Sequence, residues 1–209
     1  MTLCALSDVK TLLDISTDDT SKDDKLNLLI KKSSAEIQTY LGFSLARATY
    51  TEEVHAVNNN QILYVNNRPI QSVSSITNNG VDITDYKLIP VYSKVGGIYL
   101  GSGWAGSYYV RGLTHDPVSG AYDIEVTYNA GYYLPGDDNY EEDSETSLPY
   151  AITQACMDLS VLKYQINTNG AQGIKAHSEG NISDTYQDTS TAESSIYQSI
   201  AQYAVTGVA

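Results

Sequence analysis

Leu26, Leu29, Ile30, Ile37 and Leu41 recur at helical intervals and share one face, leaving Lys25, Lys31, Lys32 and Glu36 on an opposite, solvated face. Ahead of them, Ser21-Lys-Asp-Asp supplies an N-cap hydroxyl and, three positions on, a carboxylate that reaches back to the free amides. Gly42 behind them suits a left-handed stop. The pattern predicts a helix over 22–41. Ser7 caps a shorter one near 7–14 that includes Leu12 and Leu13, with a polar connector from Ile15 to Ser21. Leu148-Pro149 opens a third, over 148–168, where Ile152, Cys156, Leu159 and either Leu162 or Lys163 form the apolar stripe. Pro149 fits its first turn, where an amide has no helical partner, and Asn169-Gly170 ends it.

Between these helices the period changes from 3.6 to 2. Ile124, Val126 and Tyr128 alternate with Glu125, Thr127 and Asn129, one dry face and one wet. Asn58-Asn59-Asn60 separates one candidate strand from Gln61–Val65, and Asn79-Gly80 sits as a two-residue hairpin turn between Val73–Thr77 and Val81–Ile89. Residues 90–122, with Trp104, Tyr108, Tyr109 and glycines on both sides of Arg111, read as a long β excursion or ordered loop. The class is α+β: a helical body (1–46 and 146–169), a β-rich insertion (47–136), an acidic loop (137–145) and a C-terminal arm (170–209).

That arm is rich in Ser and Thr and poor in large apolar groups, so it reads as a segment that orders on a partner. Its one helical pattern begins with a capping box, Ser190 and Glu193, followed by Ile196, Ile200 and Tyr203 on one face. Ile174, Ile182 and Tyr186 recur in the extended stretch before it.

Composition narrows the function. Among 209 residues, 12 Lys and Arg face 25 Asp and Glu, a formal charge of −13. Such a chain lacks the cations that displace counterions from nucleic acid or hold an anionic membrane surface. The start lacks a basic n-region and reaches Asp8 before any apolar run, unlike a signal peptide, and no stretch approaches membrane-spanning length. Tyrosine accounts for 18 aromatics, against one Trp and one Phe, which suits half-wet surfaces. Cys4 and Cys156, far apart in sequence and without metal-ligand spacing, read as reduced, buried residues.

No chemical motif outweighs its plainer reading. Gly101-Ser-Gly103-Trp-Ala-Gly106 has dinucleotide-loop spacing, with Asp123 downstream, but β-type residues follow where a helix must open, so a turn between strands is the better reading. The alternating Asp137, Asn139, Glu141, Asp143 and Glu145 lack the central glycine of a calcium loop and read as solvated. His55, His115 and His177 fall in three separate segments, and His115-Asp116-Pro117 reads as a turn. No catalytic set, cofactor or metal is expected. A β-rich carbohydrate binder, stacking sugar on Tyr92, Tyr99, Trp104, Tyr108 and Tyr109, is the alternative, although such a module has no need of the 22–41 and 148–168 helices.

Several phrases, in order, resemble the head-to-tail connector (adaptor) proteins of tailed bacteriophages. They are Leu6-Ser-Asp-Val-Lys-Thr-Leu-Leu, Asp23 through Gly42, Arg68-Pro-Ile-Gln-Ser-Val-Ser-Ser-Ile, Ile124-Glu-Val-Thr-Tyr-Asn-Ala-Gly-Tyr, Leu148-Pro149 opening a helix, and Gly173 through Tyr186. The resemblance implies a structural virion protein at the neck, made in the bacterial host cytoplasm. It implies a homo-oligomeric ring, commonly a dodecamer, below the portal protein, with a tail or stopper protein beneath and DNA only as passing cargo. It also implies a C-terminal segment that reaches the portal, here through Ile174, Lys175, Ile182, Tyr186, Ile196, Ile200 and Tyr203. Residues 90–122 and the acidic loop lie outside the resemblance.

Overall fold

The computed structural model describes residues 2–54, 61–78, 80–104, 124–141, 144–169, 176–179, 182–185 and 189–204. It is α+β, as expected, and divides into two compact units: residues 1–42 with 133–209, and residues 43–132.

The first unit is helical. It contains α1 (Leu6–Leu12), α2 (Asp23–Leu41), α4 (Tyr150–Asn169), α5 (Thr189–Ile200) and a 3-10 turn, Ala201–Tyr203. Helix α2 buries Leu26, Leu29, Ile30, Ile37 and Leu41, the stripe read from the sequence, and ends at Gly42 with φ of 84°. Ser33 and Ser34 are buried on the same helix, where their small side chains leave room for close packing. All three proposed N-caps are corrected. Helix α1 starts after Ala5, with Ser7 inside it, its hydroxyl donating to Asp8. Helix α2 starts after Lys22 without a side-chain cap, while the Ser21 amide donates to Asp19. Helix α5 already includes Ser190, whose carbonyl accepts from the Ser194 hydroxyl. In a chain this dense in Ser and Asp, local side-chain bonds compete at several positions, and packing selects among them.

Lys10 is buried and forms an ion pair of 2.5 Å with Asp23 while donating to the Thr17 carbonyl at 3.2 Å, so it ties α1 to the connector and to the start of α2. Cys4 and Cys156 are free and buried, as read from the sequence. The carboxyl end of the chain carries a hairpin, β7 (Ala176–Glu179) with β8 (Ile182–Thr185), paired Glu179 to Ile182 and Ala176 to Thr185.

The second unit holds an antiparallel sheet in the order β1 (Ala48–Val54), β6 (Ile124–Ala130), β3 (Ile70–Asn78), β4 (Val81–Asp82). Strand β6 is central. Ile124, Val126, Tyr128 and Ala130 are buried and Glu125 is exposed, which confirms the alternation. On the wetter face Thr51 meets Thr127 at 3.0 Å and Thr49 donates to Asn129 at 2.8 Å. Asn78 pairs with Val81, and Gly80 has φ of 76°, as the Asn-Gly hairpin requires. The strand expected over 81–89 is only two residues long, and Pro90 opens a one-turn helix, α3 (Pro90–Ser93).

A second ribbon pairs β2 (Ile62–Tyr64) with β5 (Gly97–Tyr99), and its Leu63 and Ile98 join Leu100 and Trp104 in one core with Ile76, Val126 and Tyr128. At Gly131, φ 98°, a Cβ would run into the Ala46 carbonyl, so glycine is required there.

Candidate functional site

The helical unit carries a surface cleft. Its volume is about 560 Å³, and it opens between α1, the turn at 135–140 and the first half of α4. Asp8 and Leu12 come from α1, Tyr140 from the turn, and Tyr150, Thr153 and Met157 from α4. Leu12 and Tyr150 are 52% and 53% exposed, large apolar surfaces set on either side of the opening. Thr153 is buried on the wall with no hydrogen-bond partner for its hydroxyl among the described residues. A mostly apolar cleft with one carboxylate, Asp8, and a few hydroxyls suits a protein segment better than a reacting substrate. The acidic turn beside it closes locally: Asp137 accepts the Leu134 amide at 2.7 Å, and Ser147 accepts the Glu141 amide at 3.1 Å. No group of three His, Cys, Asp or Glu that could hold a metal ion occurs among the described residues.

On the other side of α4, three helices meet through one carboxylate. Lys163 of α4 donates to Glu36 of α2 at 2.6 Å, and the Tyr197 hydroxyl of α5 donates to the same oxygen at 3.4 Å. The Tyr197 ring lies 4.9 Å from that of Tyr40, and Lys25 lies over the ring of Tyr164. The α2 face expected to be merely solvated is therefore partly used, through Glu36 and Lys25. Only tertiary packing brings Lys163 to Glu36; the ambiguous stripe position at Leu162 or Lys163 was the one hint.

Burial first, then the charges of Glu36 and Glu193, push the Tyr197 phenol above its ordinary value of 10.0. Its proton is held more tightly in the folded chain, so the stabilisation is complete below pH ~10 and fades as pH rises through the higher folded value. Melting temperatures taken from pH 8 to 11 should fall less steeply for Tyr197→Phe than for the natural chain. Equal slopes would contradict the assignment.

Of the residues expected at a partner interface, Ile200 is buried, while Ile196 and Tyr203 are half-buried. The Ile196, Ile200 and Tyr203 face, expected to order on a partner, is therefore covered in part by the chain itself. Ile182 opens β8, and Ile174, Lys175 and Tyr186 lie outside the described residues. Trp104, proposed in the alternative reading as a sugar platform, is instead buried, its indole N–H donating to the Ile98 carbonyl at 3.0 Å. Tyr92 and Tyr99 are half-buried, and Tyr108 and Tyr109 lie outside the described residues. Gly101 to Trp104 form a turn after β5, and the segment after Gly106, on which the nucleotide question turns, is outside them too. His55 and His115 are likewise outside; His177 lies in β7.

No helix among the described residues is long and apolar enough to cross a membrane. No curated protein matches the chain. Among solved structures, it is similar to a chain in the neck of an empty gene transfer agent particle computed with C6 symmetry. The TM-score is 0.53 at 15% identity, over 99% of this chain and 92% of that one. It is also similar to a chain in the virion of a native gene transfer agent particle, with a TM-score of 0.52 at 13% identity over the same shares. At such identities the likeness is one of fold. A family model described as head completion protein matches residues 2–182, which takes in the whole sheet unit and most of the helical one. The connector resemblance is thus borne out, and the chain belongs to the head completion protein family.

Proposed function

We propose that this protein is a structural component of the virion neck that assembles as a homo-oligomeric ring below the portal protein. The ring extends the DNA channel and offers the platform on which a tail or stopper protein sits. The observation that carries this reading is the family match over residues 2–182. The fold shared with a chain of a sixfold-symmetric neck supports it, since a dodecamer satisfies sixfold symmetry. Family membership favours a structural role over catalysis.

Charge supports the same reading. A subunit of −13, repeated around a ring, lets DNA pass without holding it. In this reading the portal contact belongs to the C-terminal segment, through Ile174, Lys175, Ile182 and Tyr186 together with Ile196 and Tyr203. Ile200, being buried, anchors α5 to the body. A paired β7 and β8 still leaves main-chain groups along an outer edge for a partner strand.

The test is add-back of purified protein to portal-bearing heads that lack it, followed by co-sedimentation, native mass measurement and imaging of the portal vertex. A ring at the vertex is expected, and Lys175→Glu with Tyr186→Ala should release the protein from heads without changing its melting temperature. A monomer that ignores the heads, or the double variant binding as well as the natural chain, would overturn the respective claims. Duplex DNA should show no saturable binding at physiological salt, and micromolar affinity there would contradict the conduit.

A further inference from the structure

Cys4 and Cys156 stand 152 positions apart in sequence, yet their sulfurs are 3.3 Å apart, with the Cys4 S–H donating to Cys156. Cys4 lies in the segment before α1 and Cys156 in the middle of α4. Both are buried, and they are the two cysteines of the chain, so within one chain each has a single possible partner. The pair is also held in place. The Ser34 hydroxyl lies 3.4 Å from the Cys156 sulfur and accepts the Leu3 amide at 3.0 Å, which fixes the residue beside Cys4. Ser160 donates to the Cys156 carbonyl at 2.7 Å. Two sulfurs already in contact need little more than an ångström of approach to reach the bonded separation of ~2.05 Å.

We propose that Cys4 and Cys156 form an oxidative cross-linking site, which a peroxide closes into a disulfide that staples the N-terminal segment to α4. The donors around Cys156, the Cys4 S–H first, hold its thiol below the ordinary range, while Cys4 is pushed up by that same contact and by burial. Cys156, which has both the Cys4 S–H at 3.3 Å and the Ser34 hydroxyl at 3.4 Å around its sulfur to stabilise a thiolate, acts as the nucleophile. Its thiolate attacks one oxygen of hydrogen peroxide, the O–O bond breaks, and hydroxide leaves and takes up a proton, which gives water and a sulfenic acid at Cys156. The Cys4 sulfur then attacks the Cys156 sulfur, the S–O bond breaks, and the departing hydroxide takes the Cys4 proton. Two thiols and one peroxide become one disulfide and two waters, and the two electrons lost by sulfur reduce the peroxide.

The setting rests on the proposed function: a protein made in a reducing cytoplasm leaves it inside a particle, and the cross-link forms on that passage. The chemistry does not depend on that setting, so it can be tested on the purified chain alone, with no ring or portal in the readout.

The experiment treats full-length protein with hydrogen peroxide, then measures intact mass, peptide linkage, alkylation by iodoacetamide after denaturation, and the melting temperature. Expected are a loss of two hydrogens, a peptide joining Cys4 to Cys156 within one chain, no alkylation, and a melting temperature raised by several degrees that returns on reduction. In Cys4→Ser, dimedone should trap a sulfenic acid at Cys156. In Cys156→Ser, Cys4 should stay unmodified at the same dose. Should either variant fail to fold, the natural protein still decides the matter. Two thiols that remain alkylatable, linkage only between chains, or a cross-link that leaves the melting temperature unmoved would overturn the proposal.

Discussion

Trp104→Ala should destabilise the sheet unit by about 3–5 kcal/mol, the usual cost of truncating a buried tryptophan. The indole is 1% exposed and sits among Leu63, Ile98, Leu100 and Tyr128. Its truncation opens a cavity between the β2–β5 ribbon and the main sheet and leaves the Ile98 carbonyl without the donor now 3.0 Å away. Trp104→Phe should recover most of the packing and still lose the hydrogen bond, so it should fall between the two. Denaturant melts followed by circular dichroism give the comparison. In the natural chain this is the one tryptophan, so its fluorescence reports the same unit directly. A loss under ~1 kcal/mol would mean that the indole is not a core residue.

Ile200→Asp should cost about 3–5 kcal/mol, because it places an unpaired charge at a fully buried position on the last turn of α5. Ile200→Val should cost only ~0.5–1.5 kcal/mol. For the same reason, truncation after Gly170 should lower the melting temperature of the body. It removes Ile200 from the core, the Tyr197 ring from Tyr40, and the Tyr197 hydroxyl from Glu36. Read from sequence alone, that truncation leaves the body folded, because a Ser- and Thr-rich arm buries little. The difference is testable by thermal melts of the truncated chain, and an unchanged melting temperature would restore the sequence expectation. Loss of attachment in the truncated protein would not by itself identify a docking segment. The Lys175 and Tyr186 substitutions, which remove no packed helix, make that separation.

What the sequence by itself determined is the part of the fold governed by local period and by residues with restricted backbones. The 22–41 helix was legible because five aliphatic residues fall on one face and Gly42 can take φ of 84°. Strand β6 was legible because its alternation survives at the centre of a sheet, and the Asn79-Gly80 hairpin because few residues accept the turn's dihedrals. The ordered phrases that identify the family are also a property of the string. Caps were not legible, since Ser7, Ser21 and Ser190 each fit the local pattern and lost to another register once the helices packed. The strand expected to run to Ile89 stops at Asp82, where its pairing with β3 ends, and no residue marks that limit. Trp104, in a glycine-rich stretch, carried no sign of burial; its place is set by Ile98 and by strands from elsewhere in the unit. The Glu36–Lys163–Tyr197 junction and the contact between Cys4 and Cys156 join residues more than a hundred positions apart. Such contacts come from the close packing of helices whose own patterns say only which face is buried, not which residue of a partner will meet it.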